Sequence, residues 1–154
     1  MISRLLFLKS IFEMRIREIS LIIFSLIILK YLKTWINFMK VLLVYPNIVE
    51  SPKDISIGLG IISALLKKNN HTVELIDTTF RPSNDEIIKK IKGFDPDVVG
   101  ITAATNDLSN AVRVCRMIKK IKNIPIICGG YHATIAPLDI MNIDCFDVAA
   151  VFVS

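Results

Sequence analysis

The chain is poor in the residues that carry catalysis and metal binding. It has three cysteines and two histidines among 154 residues. Cys115, Cys128 and Cys145 are widely spaced, no CxxC occurs, and no histidine sits near a cysteine at zinc spacing, so no zinc motif is present. Cys115 and Cys128 read as small core residues of a reduced compartment. No GxGxxG follows the first strand, which leaves no dinucleotide fingerprint and gives Asp77 little support as a ribose acceptor; a P-loop is also absent. The carboxylates Asp54, Asp77 and Asp107 fall in different loops and form no acid–base pair. A phospho-acceptor receiver needs acidic residues at the end of its first strand, where this chain has Val44-Tyr45-Pro46. Nucleic acid is not an expected partner: residues 39–154 carry 13 basic and 12 acidic side chains.

What the chain has is apolar surface. Hydrophobic residues make up 53% of it and the mean hydropathy is +0.55, high for a single ordinary domain. Residues 1–38 hold the basic excess, six basic side chains against two acidic, around the 11-residue apolar run Ile19 to Leu29. A spanning helix needs about 20 apolar residues. Extending the run to Phe38 takes in Lys30 and Lys33. No small-residue cleavage site follows, which argues against a secretory signal. Three readings stand: a short membrane anchor, an interfacial basic helix, or an extension ahead of a natural start at Met39, since MKVLLVYPN opens directly into a strand. Each places a boundary near Phe38/Met39. The expected location is cytoplasmic, with membrane association resting on residues 1–38.

From Lys40 the apolar segments alternate in kind. Lys40 to Tyr45 is a buried strand ended by Pro46-Asn47. A loop to Ser56 leads into a helix with Ile57, Ile61, Ala64 and Leu65 on one face and Lys67-Lys68 at its end. Thr72 to Ile76 is a second strand with Asp77 at its carboxyl end. Ser83 and Glu86 form a capping box for a helix that turns Ile87, Ile88 and Ile91 inward. Asp97 to Thr102 is the third strand. Thr105 or Asp107 caps the next helix, whose apolar face is Ala111, Val114, Cys115, Ile118 and Ile121. Ile124 to Cys128 is a fourth strand, Pro137 to Asn142 a short helix or turn, and Phe146 to Val153 a fifth, edge strand. His71 reads as a surface turn residue. Strands that are continuous apolar runs, separated by helices, predict an α/β fold with a parallel sheet covered on both faces. The expected architecture is a flavodoxin-like or Rossmann-like three-layer sandwich, five parallel strands in the order 2-1-3-4-5.

The stretch IPIICGGYHAT, Ile124 to Thr134, concentrates the functional signal. A buried strand breaks into Gly129-Gly130, where bare backbone can approach a ligand. In this topology the loops after strands one, three and four meet at the carboxyl edge. They bring together Pro46, Asn47, Thr102, Ala103, Ala104, Thr105, Gly129, Gly130, Tyr131, His132 and Ala133. Small residues and hydroxyls suit a large flat ligand better than acid–base chemistry. Two bland readings stand beside this one: Gly129-Gly130 as a tight turn only, and His132 as a solvated loop residue.

Four segments in series, MKVLLVYPN, IGLGIISALLKKNNHTVELID, FDPDVVGITAAT and IPIICGGYHAT, resemble the cobalamin-binding domain found at the N-terminus of many radical S-adenosylmethionine (SAM) enzymes. The resemblance runs from Met39 to Val153. It implies a corrin laid over the carboxyl edge, lined by the eleven residues just named, with a radical SAM domain or subunit as partner. Such domains commonly carry a methyl group between S-adenosylmethionine and a substrate. Two departures bear on this. The DxHxxG that supplies an axial histidine in mutases and methionine synthases is missing, so the motif's ligand is lost and His132 is the histidine nearest the expected corrin. The radical enzyme's CxxxCxxC is also missing, so no iron–sulfur cluster is expected in this chain. The chain therefore reads as a cobalamin-binding module, truncated or split from a catalytic part and without catalytic residues of its own. Its alternatives are a fragment of a cobalamin-dependent radical SAM methyltransferase or cyclase, and a flavodoxin-like module that binds another cofactor or none.

Overall fold

The computed structural model describes residues 38–48 and 56–152. The expectations for the run Ile19 to Leu29, for Asp54 and for the far part of the first loop lie outside the described residues. Five strands form one sheet: β1 (Lys40–Tyr45), β2 (Thr72–Asp77), β3 (Val98–Thr102), β4 (Ile126–Gly129) and β5 (Val148–Ala149). All neighbours pair in parallel, in the order β2-β1-β3-β4-β5. Parallel pairing requires a crossover for each strand, and helices supply them: α1 (Ile57–Lys68), α2 (Asn84–Phe94), α3 (Leu108–Ile121), then the short α4 (Tyr131–Ile135) and α5 (Pro137–Met141). Among the described residues no helix is long and apolar enough to cross a membrane.

The pleat divides the strand residues between two cores. Leu42, Val44, Val99, Ile101, Ile126 and Cys128 face Ile87 and Ile91 of α2, the Ala111-Val114-Cys115-Ile118 stripe of α3, and Ile140 of α5. Val41 and Leu43 face Leu59 of α1, with Leu66 and Val73 packed at the margin. All three cysteines are buried. Burial pushes the Cys128 thiol up to about 12 and raises those of Cys115 and Cys145. None of the three is poised as a thiolate.

Helix α1 corrects the sequence reading. Ile57, Ile61 and Leu65 are 73%, 57% and 55% exposed, and Ala64 is exposed too, while Leu59 is buried. IGLGIISALL is apolar nearly all round, so its period does not select a face. The side chains that meet β1 and β2 are Leu59 and Leu66, seven residues apart. Strand β5 is also shorter than Phe146 to Val153. Ala150 N still donates to Cys128 O (2.8 Å), but Phe152 N then turns to Thr134 Oγ1 (3.4 Å), and the ladder stops. Val148 and Phe152 stay exposed on the edge, as expected.

The amino edge of the sheet is closed by carboxylates. Asp97 Oδ2 accepts from the first amide of β1, Lys40 N (2.8 Å), and Asp147 Oδ2 from the first amide of β4, Ile126 N (2.7 Å). Lys119 Nζ donates to the same Asp147 oxygen (2.7 Å) and to Ile124 O (2.9 Å). His71 belongs to this end as well, accepting from Met39 N at Nδ1 (3.2 Å).

The hydrogen bond from Lys119 is the main reason the Asp147 carboxyl titrates below its usual range. A depressed carboxylate stabilises the fold fully above its unfolded value, and that contribution is lost as pH falls through the folded one. Asp147→Ala should cost about 1–2 kcal/mol in urea unfolding at neutral pH, kept low by solvent screening. The gap to wild type should close below about pH 4. A gap that is constant down to pH 2.5 would assign the loss to packing instead.

Candidate functional site

Where β3 and β4 end, the carboxyl edge is held together by backbone. The β3–β4 ladder ends at the pair Thr102↔Gly129. Stitching continues past it: Ala103 N donates to Gly129 O (2.9 Å) and His132 N to Ala103 O (3.0 Å). Between them lies Gly130, at φ +93. A Cβ there would stand 2.6 Å from Thr102 Oγ1 and 3.0 Å from both Ala103 N and Ala103 O. Glycine is thus required twice, for the left-handed backbone and for the space. Gly129 differs, since an added Cβ would meet Ala150 Cβ at an ordinary 3.8 Å. Tyr131, His132 and Ala133, expected in the loop after strand four, fall in α4, with Gly130 at its cap position. No capping side chain announces this helix in the sequence; the backbone turn sets its start.

The loop after β1 is locked from below. Asn110 Nδ2 donates to Pro46 O and Thr78 Oγ1, both at 2.9 Å. Thr78 Oγ1 donates to Asn47 O (2.9 Å), and Asn47 Nδ2 donates to Thr79 Oγ1 (3.0 Å). Thr79 Oγ1 in turn donates to Asp77 Oδ1 (2.6 Å), which also takes Thr79 N (2.8 Å). Asp77 is engaged in its own turn. Arg113 Nε fixes Asn110 by donating to its Oδ1 (2.9 Å). Asn110, Thr78 and Thr79 were not singled out from the sequence. Their only signal is polarity, an asparagine near the start of an amphipathic helix and two threonines after an apolar strand.

Asp107 does not cap α3, nor does Thr105. Both lie in a single 3-10 turn, Thr105–Asp107, that runs into the helix without a side-chain cap bond. The Asp107 carboxylate is buried and accepts from Ile48 N (3.4 Å). Burial raises its pKa, with the Ile48 amide opposing. It links the loop after β3 to the loop after β1. Ser83 does cap, with the reciprocal bonds to Glu86 in place.

The expected site residues divide in two. Thr105, Gly130 and Tyr131 are exposed at the edge, with Thr102, Ala104 and Gly129 half-buried beside them. Pro46, Asn47, Ala103, His132 and Ala133 are buried and form the floor. His132 is not a solvated loop residue. It is 7% exposed, with Nδ1 3.1 Å from Thr105 Oγ1 and Nε2 4.0 Å from Asp139 Oδ2. His71 lies at the opposite edge, so His132, buried beneath Thr105, is the histidine of the carboxyl edge. Among the described residues no cluster of three or more His, Cys, Asp or Glu could hold a metal ion. The edge offers bare backbone, hydroxyls and small side chains, which fits a broad flat cofactor that brings its own metal. A separate groove of about 650 Å³ lies between α1 and β2, lined by Leu43, Leu59, Lys67, Leu75 and Phe80. It is away from the loops after β3 and β4.

Comparison with known proteins points the same way. The family model described as B12 binding domain matches residues 53–152. An uncharacterised methyltransferase of Pyrococcus horikoshii is 34% identical over 118 residues, covering 71% of this chain and 26% of the relative. The cytidylyl-2-hydroxyethylphosphonate methyltransferase of Streptomyces wedmorensis is 28% identical over 136 residues, covering 70% and 26%. The chain thus spans about a quarter of the length of these curated relatives. The same fold occurs in the radical SAM methyltransferase TsrM of Kitasatospora setae, solved with cobalamin and a 4Fe-4S cluster bound (TM-score 0.54, 24% identity, covering 60% of this chain and 18% of that one). It occurs also in a cobalamin-binding protein of Desulfitobacterium hafniense (TM-score 0.53, 17% identity, covering 73% and 53%).

The two glycines should separate on substitution. Gly130→Ala should cost about 2–3 kcal/mol of stability from backbone strain and collision. Gly129→Ala should stay within about 1 kcal/mol of wild type. Equal melting temperatures for the two variants would contradict the geometry.

Proposed function

The chain belongs to the B12-binding domain family, and on that premise we propose that it is a cobalamin-binding module that carries a corrin on its carboxyl edge. The observation that carries the proposal is the edge itself: a backbone-stitched, small-residue surface at the β1–β3 switch point, where ligands of open α/β sheets bind. Ile48, Thr102 to Thr105 and Gly129 to Tyr131 would lie against the ring, over the floor made by Pro46, Asn47, Ala103, His132 and Ala133. When bound, cobalamin would supply a transferable methyl group. The chain's own residues would bind and orient the corrin and keep water from its lower face. They would give cobalt no imidazole, because His132 points to Thr105 and Asp139.

Catalysis would come from elsewhere, in our reading a radical SAM domain or subunit. Catalysis from outside these residues is supported by two relatives named methyltransferases of which the chain matches only 26% each, and the radical SAM class is suggested by the fold shared with TsrM. The module would comprise residues 39–154, with residues 1–38 as a separate apolar, basic extension. A second reading, a flavodoxin-like module for another ligand, is favoured by the groove between α1 and β2.

The test is to add hydroxocobalamin or methylcobalamin to the full chain, remove free ligand on a sizing column and read the protein peak. Corrin absorbance near one per chain is expected. At saturation, His132→Gln should give the same visible spectrum as wild type. A folded protein that elutes colourless from cobalamin well above micromolar would overturn the proposal.

A further inference from the structure

His132 is the buried polar group that the proposed function leaves without a task. It is 7% exposed, and its Nε2 is shut off from solvent with no hydrogen-bond partner. Its Nδ1 is 3.1 Å from Thr105 Oγ1. Thr105 itself is exposed at the carboxyl edge. The ring is held there by backbone: Gly130 fixes the start of α4, and His132 N donates to Ala103 O (3.0 Å).

Three proton arrangements are available to the ring. With the proton on Nδ1, the ring donates to Thr105, and the Nε2 lone pair is buried without a donor, facing the Asp139 carboxylate 4.0 Å away. That combines an unsatisfied acceptor with a repulsive neighbour. With both nitrogens protonated, a charge is buried whose nearest counter-charge is that same carboxylate, 67% exposed to water. With the proton on Nε2, the N–H points towards Asp139, and the Nδ1 lone pair accepts from the Thr105 hydroxyl. This last arrangement satisfies Nδ1, puts attraction at Nε2 where the Nδ1-protonated tautomer puts repulsion, and, unlike the doubly protonated ring, buries no charge.

We infer that His132 is a positioning residue that accepts a hydrogen bond from the Thr105 hydroxyl at Nδ1, so that Thr105 meets a ligand at the edge as a hydrogen-bond acceptor. The matching ligand group is a donor. On the proposed corrin that is an N–H of a rim carboxamide, so the inference rests on the cobalamin reading. It assigns the Thr105–His132 pair to the grip on the ring periphery rather than to the metal.

The test has two parts on the full chain. Imidazole ¹⁵N spectra at neutral pH should show His132 protonated at Nε2 and bare at Nδ1; the opposite tautomer or a doubly protonated ring overturns the inference. Cobalamin titrations then follow the pair. Thr105→Val should weaken binding about tenfold, the loss of one hydrogen bond. His132→Asn, whose amide can place an acceptor near the Nδ1 position, should stay within about threefold. His132→Phe should match Thr105→Val, and the double variant should lose no more than either alone. Additive losses, or full affinity in Thr105→Val, would contradict the pairing. Circular dichroism melts of each variant separate lost binding from lost fold. If wild type binds no cobalamin, the cobalamin reading falls and takes the rim contact with it, whereas the imidazole spectra still decide the Thr105–His132 bond.

Discussion

The carboxyl edge depends on one backbone turn. At Gly130 the chain leaves β4 in a left-handed conformation and passes so close to Thr102 and Ala103 that a Cβ would collide with both. This contact converts the end of a strand into the start of a helix without an intervening loop. It also brings His132 under Thr105, locks Ala103 between two backbone hydrogen bonds, and leaves Gly129 and Tyr131 at the rim. A longer loop at this point would free the residues that now form a floor. At Gly130 φ is +93 and ψ −168, a conformation nearly free for glycine and costing on the order of 1–3 kcal/mol for other residues.

The two edges of the sheet are built by different chemistry. The amino edge uses Asp97 and Asp147 to take the first amides of β1 and β4, with Lys119 drawn in beside them. The carboxyl edge relies mainly on amides and hydroxyls: Asn47, Asn110, Thr78 and Thr79 tie the first loop to β2 and α3, with Asp77 and Arg113 at the ends of the chain of bonds. Asp107, a buried carboxylate of this edge, spans two loops and has its pKa raised by burial. Charged groups at this edge, Asp77, Asp107 and Arg113, are engaged in bracing its loops. A preorganised surface of backbone, amides and hydroxyls, with its one imidazole buried under Thr105, suits a broad cofactor with a ring of amides.

Much of this was legible in the sequence because the relevant signals are local. Short continuous apolar runs such as Lys40 to Tyr45, rich in β-branched residues and ended by Pro46-Asn47, read as buried strands, and their alternation with helices leads to the observed order. The Ser83–Glu86 box and the Ala111-Val114-Cys115-Ile118 stripe are read from spacing alone. Gly129-Gly130 marks the decisive turn. What was not legible depends on tertiary context. Helix α1 is apolar all round, so only the sheet decides that Leu59 faces inward and Ile61 outward. Asp107 follows the pattern of a cap, yet the Ile48 amide claims it. His132 sits on a stretch that resembles a rim loop, and only the turn at Gly130 buries it.

The central claim, that the carboxyl edge is the corrin face, is tested most directly by mapping where cobalamin touches the chain. Amide spectra of ¹⁵N-labelled protein with and without one equivalent of cobalamin would locate it. The account predicts shifts concentrated at Ile48, Thr105, Gly129, Gly130 and Tyr131. Shifts confined to Leu59, Lys67, Leu75 and Phe80 along α1 and β2, with Gly129 to Tyr131 unmoved, would contradict it.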